Sequence, residues 1–328
     1  PASDHGSGVR GDDAFGAGIA VSPERGPLAS CRYARWRHGA DAAQYLDSWT
    51  VDTIMRVEFL SNHCGEQLST SEQAVQQART GLAVRQGVYI EAHSELQEAV
   101  RARPGWQRML SAPTFKEQEA LAHVHSARRE VDLAHDGLGR AHDQVRQQAA
   151  GVRGEEMLVL GLSCLSDEWI MLRGYRNRRG ETDVVLVGPD GVWVVEVKRR
   201  RVRLNALGDD WWYEKLDARG NVIDTGRAVD GRGRSWARQV NDVARDLTSW
   251  LWRKGQRVWV RTAVMLMHEQ AHIGECGYLP VDLVGTHPRH LLDAIAHSSF
   301  PLCGERRTEI TDLVRRDHDY HSSRRTRP

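Results

Sequence analysis

Lysine is nearly missing from this 328-residue chain. Only Lys116, Lys198, Lys215 and Lys254 occur among its 45 basic residues, and the rest are Arg. That bias suits a GC-rich coding sequence, and it makes a Lys at one particular strand position informative, because Arg is the default cation here. No run of 18 apolar residues is present, so no membrane-spanning helix is expected. The N-terminal residues lack a charged start followed by an apolar stretch, which argues against a secretory signal. Cysteine is sparse: Cys31, Cys64, Cys164, Cys276 and Cys303 are scattered, odd in number and never arranged as CxxC. That excludes a disulfide framework and predicts a reducing, cytoplasmic compartment. The net charge of +1 does not by itself point to a nucleic-acid partner.

Residues 1–39 are largely Gly-, Ser-, Pro- and Asp-rich and read as disordered. Residues 40–62 read as an amphipathic helix, with Leu46, Trp49, Ile54 and Val57 on one side. From about 68 to 150 the chain is rich in Gln, Ala, Arg and Glu. Ser69 followed by Glu72 has the spacing of a capping box. A second helical region is predicted from Thr114 to Ala150. Its seam is Ala120, Val124, Ala127, Val131, Ala134, Leu138, Ala141 and Val145, a helical hairpin or coiled-coil pattern. Residues 40–150 are thus expected to be a helical accessory region, open to self-association or a protein partner.

The pattern changes after Gly151. GEEMLVLGLSCL reads as a helix, and WIMLRGYR, TDVVLVG and VWVVEVK read as strands. WWYEKL and NVIDT form a second predicted hairpin. RSWARQVNDVARDLTSWLWRKG is a helix with Trp236, Val240, Val243, Leu247 and Leu251 on one face and Gly255 at its end. Another strand (RVWVRTAVMLM), PVDLVG and the short helix HPRHLLDAIAH follow, then a C-terminal helix and basic tail over 306–328. The order predicts an α/β protein with a mixed sheet core flanked by helices, preceded by an all-helical N-terminal region.

The chemistry concentrates on the hairpin ETDVVLVGPDGVWVVEVKRR, residues 181–200. Pleat alternation puts Glu196 and Lys198 on one face and Trp193, Val195 and Val197 on the core face. The charges are therefore expected to face away from the core. Asp183 reaches the same place if the strands splay. Converging carboxylates repel unless a divalent cation neutralises them, and Mg²⁺ binds through one or two carboxylates plus waters and phosphate oxygens. A Lys beside such an ion can activate water or stabilise a pentavalent phosphate. Arg176, Arg178 and Arg179 before the hairpin, and Arg199, Arg200, Arg201 and Arg203 after it, are candidate phosphate contacts.

GEEMLVLGLSCL, GETDVVLVGPDGVWVVEVK, the Trp-bearing hairpin and ARQVNDVARDL together resemble the nuclease-related domain (NERD) family of the PD-(D/E)xK nuclease superfamily. The resemblance covers about residues 151–305 and implies a restriction-endonuclease-like fold. By it, Glu155 matches the acidic residue of the first helix, with Glu156 one position away. Asp183 matches the metal-binding Asp, Glu196 and Lys198 the ExK pair, and Gln239 the helical Gln by the site. Thr182 stands where the superfamily's name has Pro. The resemblance implies a bacterial, Mg²⁺- or Mn²⁺-dependent nuclease acting on DNA, with Asp183, Glu196 and Glu155 as metal ligands. A non-catalytic nucleic-acid-binding module is the alternative.

A competing motif is His268-Glu269-xx-His272. On a helix its two His would share a face and bind zinc, as in metalloproteases. The alternating strand pattern before it and Gly274 and Gly277 after it count against that helix.

Overall fold

The computed structural model describes residues 54–108, 113–298 and 300–323. The expected disordered segment 1–39, most of the helix expected over 40–62 and the basic end 324–328 lie outside them. What is described of 54–62 is not helix. Arg56–Phe59 is a strand, β1, paired in parallel with Ile170–Arg173. Ile54, Val57 and Phe59 are exposed or nearly so, so the supposed apolar stripe is not what the segment buries. The partner strand supplies the backbone hydrogen bonds that decide this segment's form, over its local pattern.

Two long helices follow. α1 spans His63–Arg101, and after a single helical turn, α2 (Gly105–Arg108), α3 runs over Phe115–Leu162. Ser69 lies inside α1, where backbone N–H groups already bond to preceding carbonyls, so it caps nothing. α3 starts where expected: Thr114 accepts from the Glu117 N–H at 3.3 Å, and the Glu117 carboxylate accepts from the Thr114 N–H at 2.7 Å. α1 and α3 lie antiparallel, as the cross-helix pairs Arg85–Glu130 and His123–Glu95 show. The predicted seam is at least half-buried at every position, centred on Val124 and Ala127 against Ala92, Tyr89 and Leu96. Gly137 and Gly139 do not interrupt α3. Nor does the step from Ala150 to Gly151: one helix carries the hairpin seam and then GEEMLVLGL.

The sheet is mixed, in the order β1-β2-β3-β4-β8-β10. Its strands are β2 (Ile170–Asn177), β3 (Gly180–Gly188), β4 (Gly191–Lys198), β8 (Val260–Leu266) and β10 (Leu283–Gly285). β2, β3 and β4 are an antiparallel meander, and β4, β8 and β10 are parallel. A second sheet, β7-β6-β5-β9, is built from β5 (Val202–Leu207), β6 (Asp210–Leu216), β7 (Val222–Arg227) and β9 (His272–Gly277).

Helices cover both faces of the main sheet. On one, Leu158 and Leu162 of α3 and Leu291 and Ile295 of α5 (Pro288–Ala296) pack on Met171, Leu186, Trp193 and Val195. On the other, α4 (Trp236–Arg253) buries the five residues its period picked out, together with Ile310 and Val314 of α6 (Gly304–Ser323). α6 is therefore part of the core rather than an appendage. Val194 belongs to one cluster and Trp193, Val195 and Val197 to the other, so β4 is buried on both faces. This corrects the expectation that one face of the hairpin is open.

Candidate active site

The register between β3 and β4 runs from Gly188↔Gly191 to Val184↔Val195 and stops there. Beyond that pair the strands part, and Asp183 reaches into the gap. Its Oδ2 accepts from the Val197 N–H at 2.6 Å. Thr182 closes the same gap from the other side, its hydroxyl donating to the Val195 carbonyl at 3.0 Å. Across the sheet from Asp183 stands Gly174, at φ +71°. A Cβ there would sit 2.4 Å from the Ser61 carbonyl oxygen, so this position admits only glycine and lets the Ser61 backbone pack against the strand.

Glu196 is 2 % exposed. Its Oε1 accepts from Lys198 Nζ at 2.5 Å and from Gln239 Nε2 at 2.8 Å. Its Oε2 has no hydrogen-bond partner, and neither has the Gln239 Oε1. Charges within this sheet are thus buried, and the cost of burial is only partly met by pairing. α4 supplies Gln239 because its apolar face docks on the sheet and turns that residue toward β4. Lys198 also lies 5.9 Å over the Trp236 ring, with Arg200 5.7 Å from the same ring.

Glu155 comes from α3 and is buried, whereas Glu156 is exposed, which separates the two candidates. α3 comes this close because residue 154 is glycine: a Cβ there would stand 2.9 Å from the Arg199 Cβ. Arg173 donates to Glu155 Oε2 at 2.8 Å. Ligand atoms of Glu155, Asp183 and Cys64 lie within 4.8 Å of one another. Cys64, on the first turn of α1, has no sequence signal that would mark it. Ser61, His63, Gln67 and Glu181, also unforeseen, line the same cavity of about 590 Å³ with Asp183, Glu155, Lys198 and Gln239.

The electrostatics follow from this crowding. Burial, then the Glu196 and Glu155 charges, hold the Asp183 carboxyl well above the usual range, against the opposing pull of Lys198 and the Val197 N–H. Burial alone would lower Lys198, but Glu196 and Asp183 outweigh it and hold its proton more tightly than usual. Burial and the Glu155 carboxylate push the Cys64 thiol far up.

The arginine rim is less free than its sequence suggests. Arg176 pairs with Glu181, Arg178 with Asp246, Arg199 with Glu269 and Arg203 with Glu214. The backbone N–H of Arg179 is bonded to Asn177, and the Arg201 Nε is buried. Arg200 is exposed and stacks by Tyr213 and Trp236.

The HExxH reading fails on geometry. His268 to Ala271 form a turn after β8, and His272 opens β9, so the two His do not share a helical face. Nor do His268, His272 and Cys276 converge as metal ligands; among the described residues the only such group of three is Cys64, Glu155 and Asp183.

No curated protein and no solved structure matches the chain. A family model does match, over residues 150–267, the stretch that runs from the end of α3 through β8 and holds Glu155, Asp183, Glu196, Lys198 and Gln239. The model is that of NERD, the nuclease-related domain, and that stretch of the chain is similar to it.

Proposed function

We propose that the chain is a divalent-metal-dependent nuclease that hydrolyses DNA phosphodiester bonds at the Asp183–Glu196–Lys198 site. The observation that carries this reading is the orphaned Oε2 of Glu196, a buried carboxylate oxygen without a donor, in a residue whose charge acts on Asp183. An unsatisfied charged oxygen of this kind is costly, and an oxygen-liganded cation such as Mg²⁺ or Mn²⁺ is what such a group accepts. Asp183, Glu196 and Glu155 would hold the ion, which supplies Lewis acidity at the scissile phosphate.

The remaining roles belong to the chain itself. Lys198, bonded to Glu196, would oppose the negative charge that grows on the phosphate in the transition state. Gln239, on the cavity wall, holds Glu196 in place through its amide. Arg200, set on two aromatic rings, presents its exposed edge to a backbone phosphate.

Digestion of plasmid and linear DNA with Mg²⁺ or Mn²⁺, wild type against Glu196→Ala, tests the proposal. Cutting by the wild type alone is expected. Equal cutting by both removes the site, and salt-sensitive binding without cutting by either leaves a nucleic-acid-binding module.

A further inference from the structure

The family-matched segment begins at residue 150, yet one wall of the cavity comes from far upstream. Ser61, Asn62, His63, Cys64 and Gln67, on the β1–α1 connection and the first turn of α1, line it. Of these, Cys64 brings its Sγ into the same 4.8 Å cluster as a Glu155 and an Asp183 oxygen. Atoms bound to one ion at about 2.0–2.3 Å stand about 3–4.5 Å apart, so this cluster is close to a ligand set as it stands. A thiol alone would not make a site. The second, separate sign of a missing cation is the partnerless Glu196 Oε2, in a residue 2 % exposed whose other oxygen is held by Lys198 and Gln239, both on the cavity wall.

We infer that Cys64 is a ligand of the metal at this site, so that the N-terminal helix completes the centre and biases it toward thiophilic divalent cations. This rests on the metal-dependent reading above. A purely carboxylate set suits hard Mg²⁺. One sulfur among three carboxylates moves the preference toward Co²⁺, Zn²⁺ or Cd²⁺. No bond to carbon or phosphorus changes in this step: the sulfur donates a lone pair to the cation and releases its proton to solvent.

Cd²⁺ is the probe, because a thiolate–cadmium bond has an ultraviolet charge-transfer band that carboxylates lack. The full-length chain with Cys31, Cys164, Cys276 and Cys303 all changed to Ser is titrated with Cd²⁺ and, separately, with Mg²⁺ by calorimetry. The band is expected to persist in that chain and to vanish when Cys64→Ser is added. Cd²⁺ affinity should then fall at least about tenfold, the lower end of what changing a ligand's surroundings costs, with Mg²⁺ affinity nearly unchanged. Cys64→Ala is measured alongside, with circular dichroism to verify folding. A missing band in the four-Ser chain, or full Cd²⁺ affinity without Cys64, overturns the inference. If divalent binding is then still lost in Glu196→Ala, the nuclease reading stands alone. If no chain binds a divalent cation, both fall.

Discussion

Asp183→Asn separates charge from shape at the site. Asparagine keeps the volume, and its Oδ1 can still accept from the Val197 N–H, which now reaches Asp183 at 2.6 Å. What disappears is a negative charge facing Glu155 and Glu196. Two unit charges at about 4.8 Å repel by about 3.5 kcal/mol at an effective dielectric near 20, the separation here being within 4.8 Å. Taking about half of that as offset by Lys198, the substitution should stabilise the metal-free protein by about 1–2 kcal/mol, or about 2–6 °C in Tm. The pH dependence has a definite sign. A carboxyl whose folded pKa is raised loses stability as pH climbs from its unfolded value through the folded one. The gain from Asp183→Asn should therefore be near zero at about pH 4 and grow toward a plateau above the raised pKa. With Mn²⁺ the wild type should recover the difference and the variant should not. Differential scanning calorimetry across that range, in chelator and in Mn²⁺, is the assay. An equal gain at both ends of the range, or a less stable variant at high pH, would refute the claim that Asp183 is held in a repulsive cluster.

Two further outcomes follow from the geometry. Lys198→Met should lower single-turnover DNA cleavage by about 10²–10³-fold, the range seen for one lost charge-stabilising donor, while DNA affinity and metal binding hold. Leu158→Ala should cost about 2–5 kcal/mol in urea unfolding, because Leu158 is fully buried where α3 meets the sheet.

The parts of the fold with strict periods could be read directly. α4 buries Trp236, Val240, Val243, Leu247 and Leu251, and the meander from β2 to β4 matches its alternating runs. β5 is hard to read although VRLNAL alternates, because the Arg run before it reads more naturally as surface. β1 reads as helix because only the edge of β2, far along the chain, makes it a strand. At the site, the ExK pair follows from pleat geometry alone. That Asp183 joins it depends on where the β3–β4 ladder ends, which no local pattern encodes. Cys64 and Ser61 reach the cavity through the docking of α1, a tertiary event with no motif. Clustering of arginines along the sequence says nothing of the carboxylates that Asp246, Glu269 and Glu214 bring to the rim.

The continuity of α3 has a mechanical meaning. From Phe115 to Glu155 the helix is a lever about 60 Å long at 1.5 Å per residue, and its short end bears the carboxylate of the cavity. α1, the other limb of the same pair of tongs, carries Cys64 at its root. The gap between sulfur and carboxylate is therefore the jaw of the tongs. Because the α1–α3 seam holds the limbs together, the spacing at that jaw is set by helix pairing far from the sheet as well as by the sheet itself.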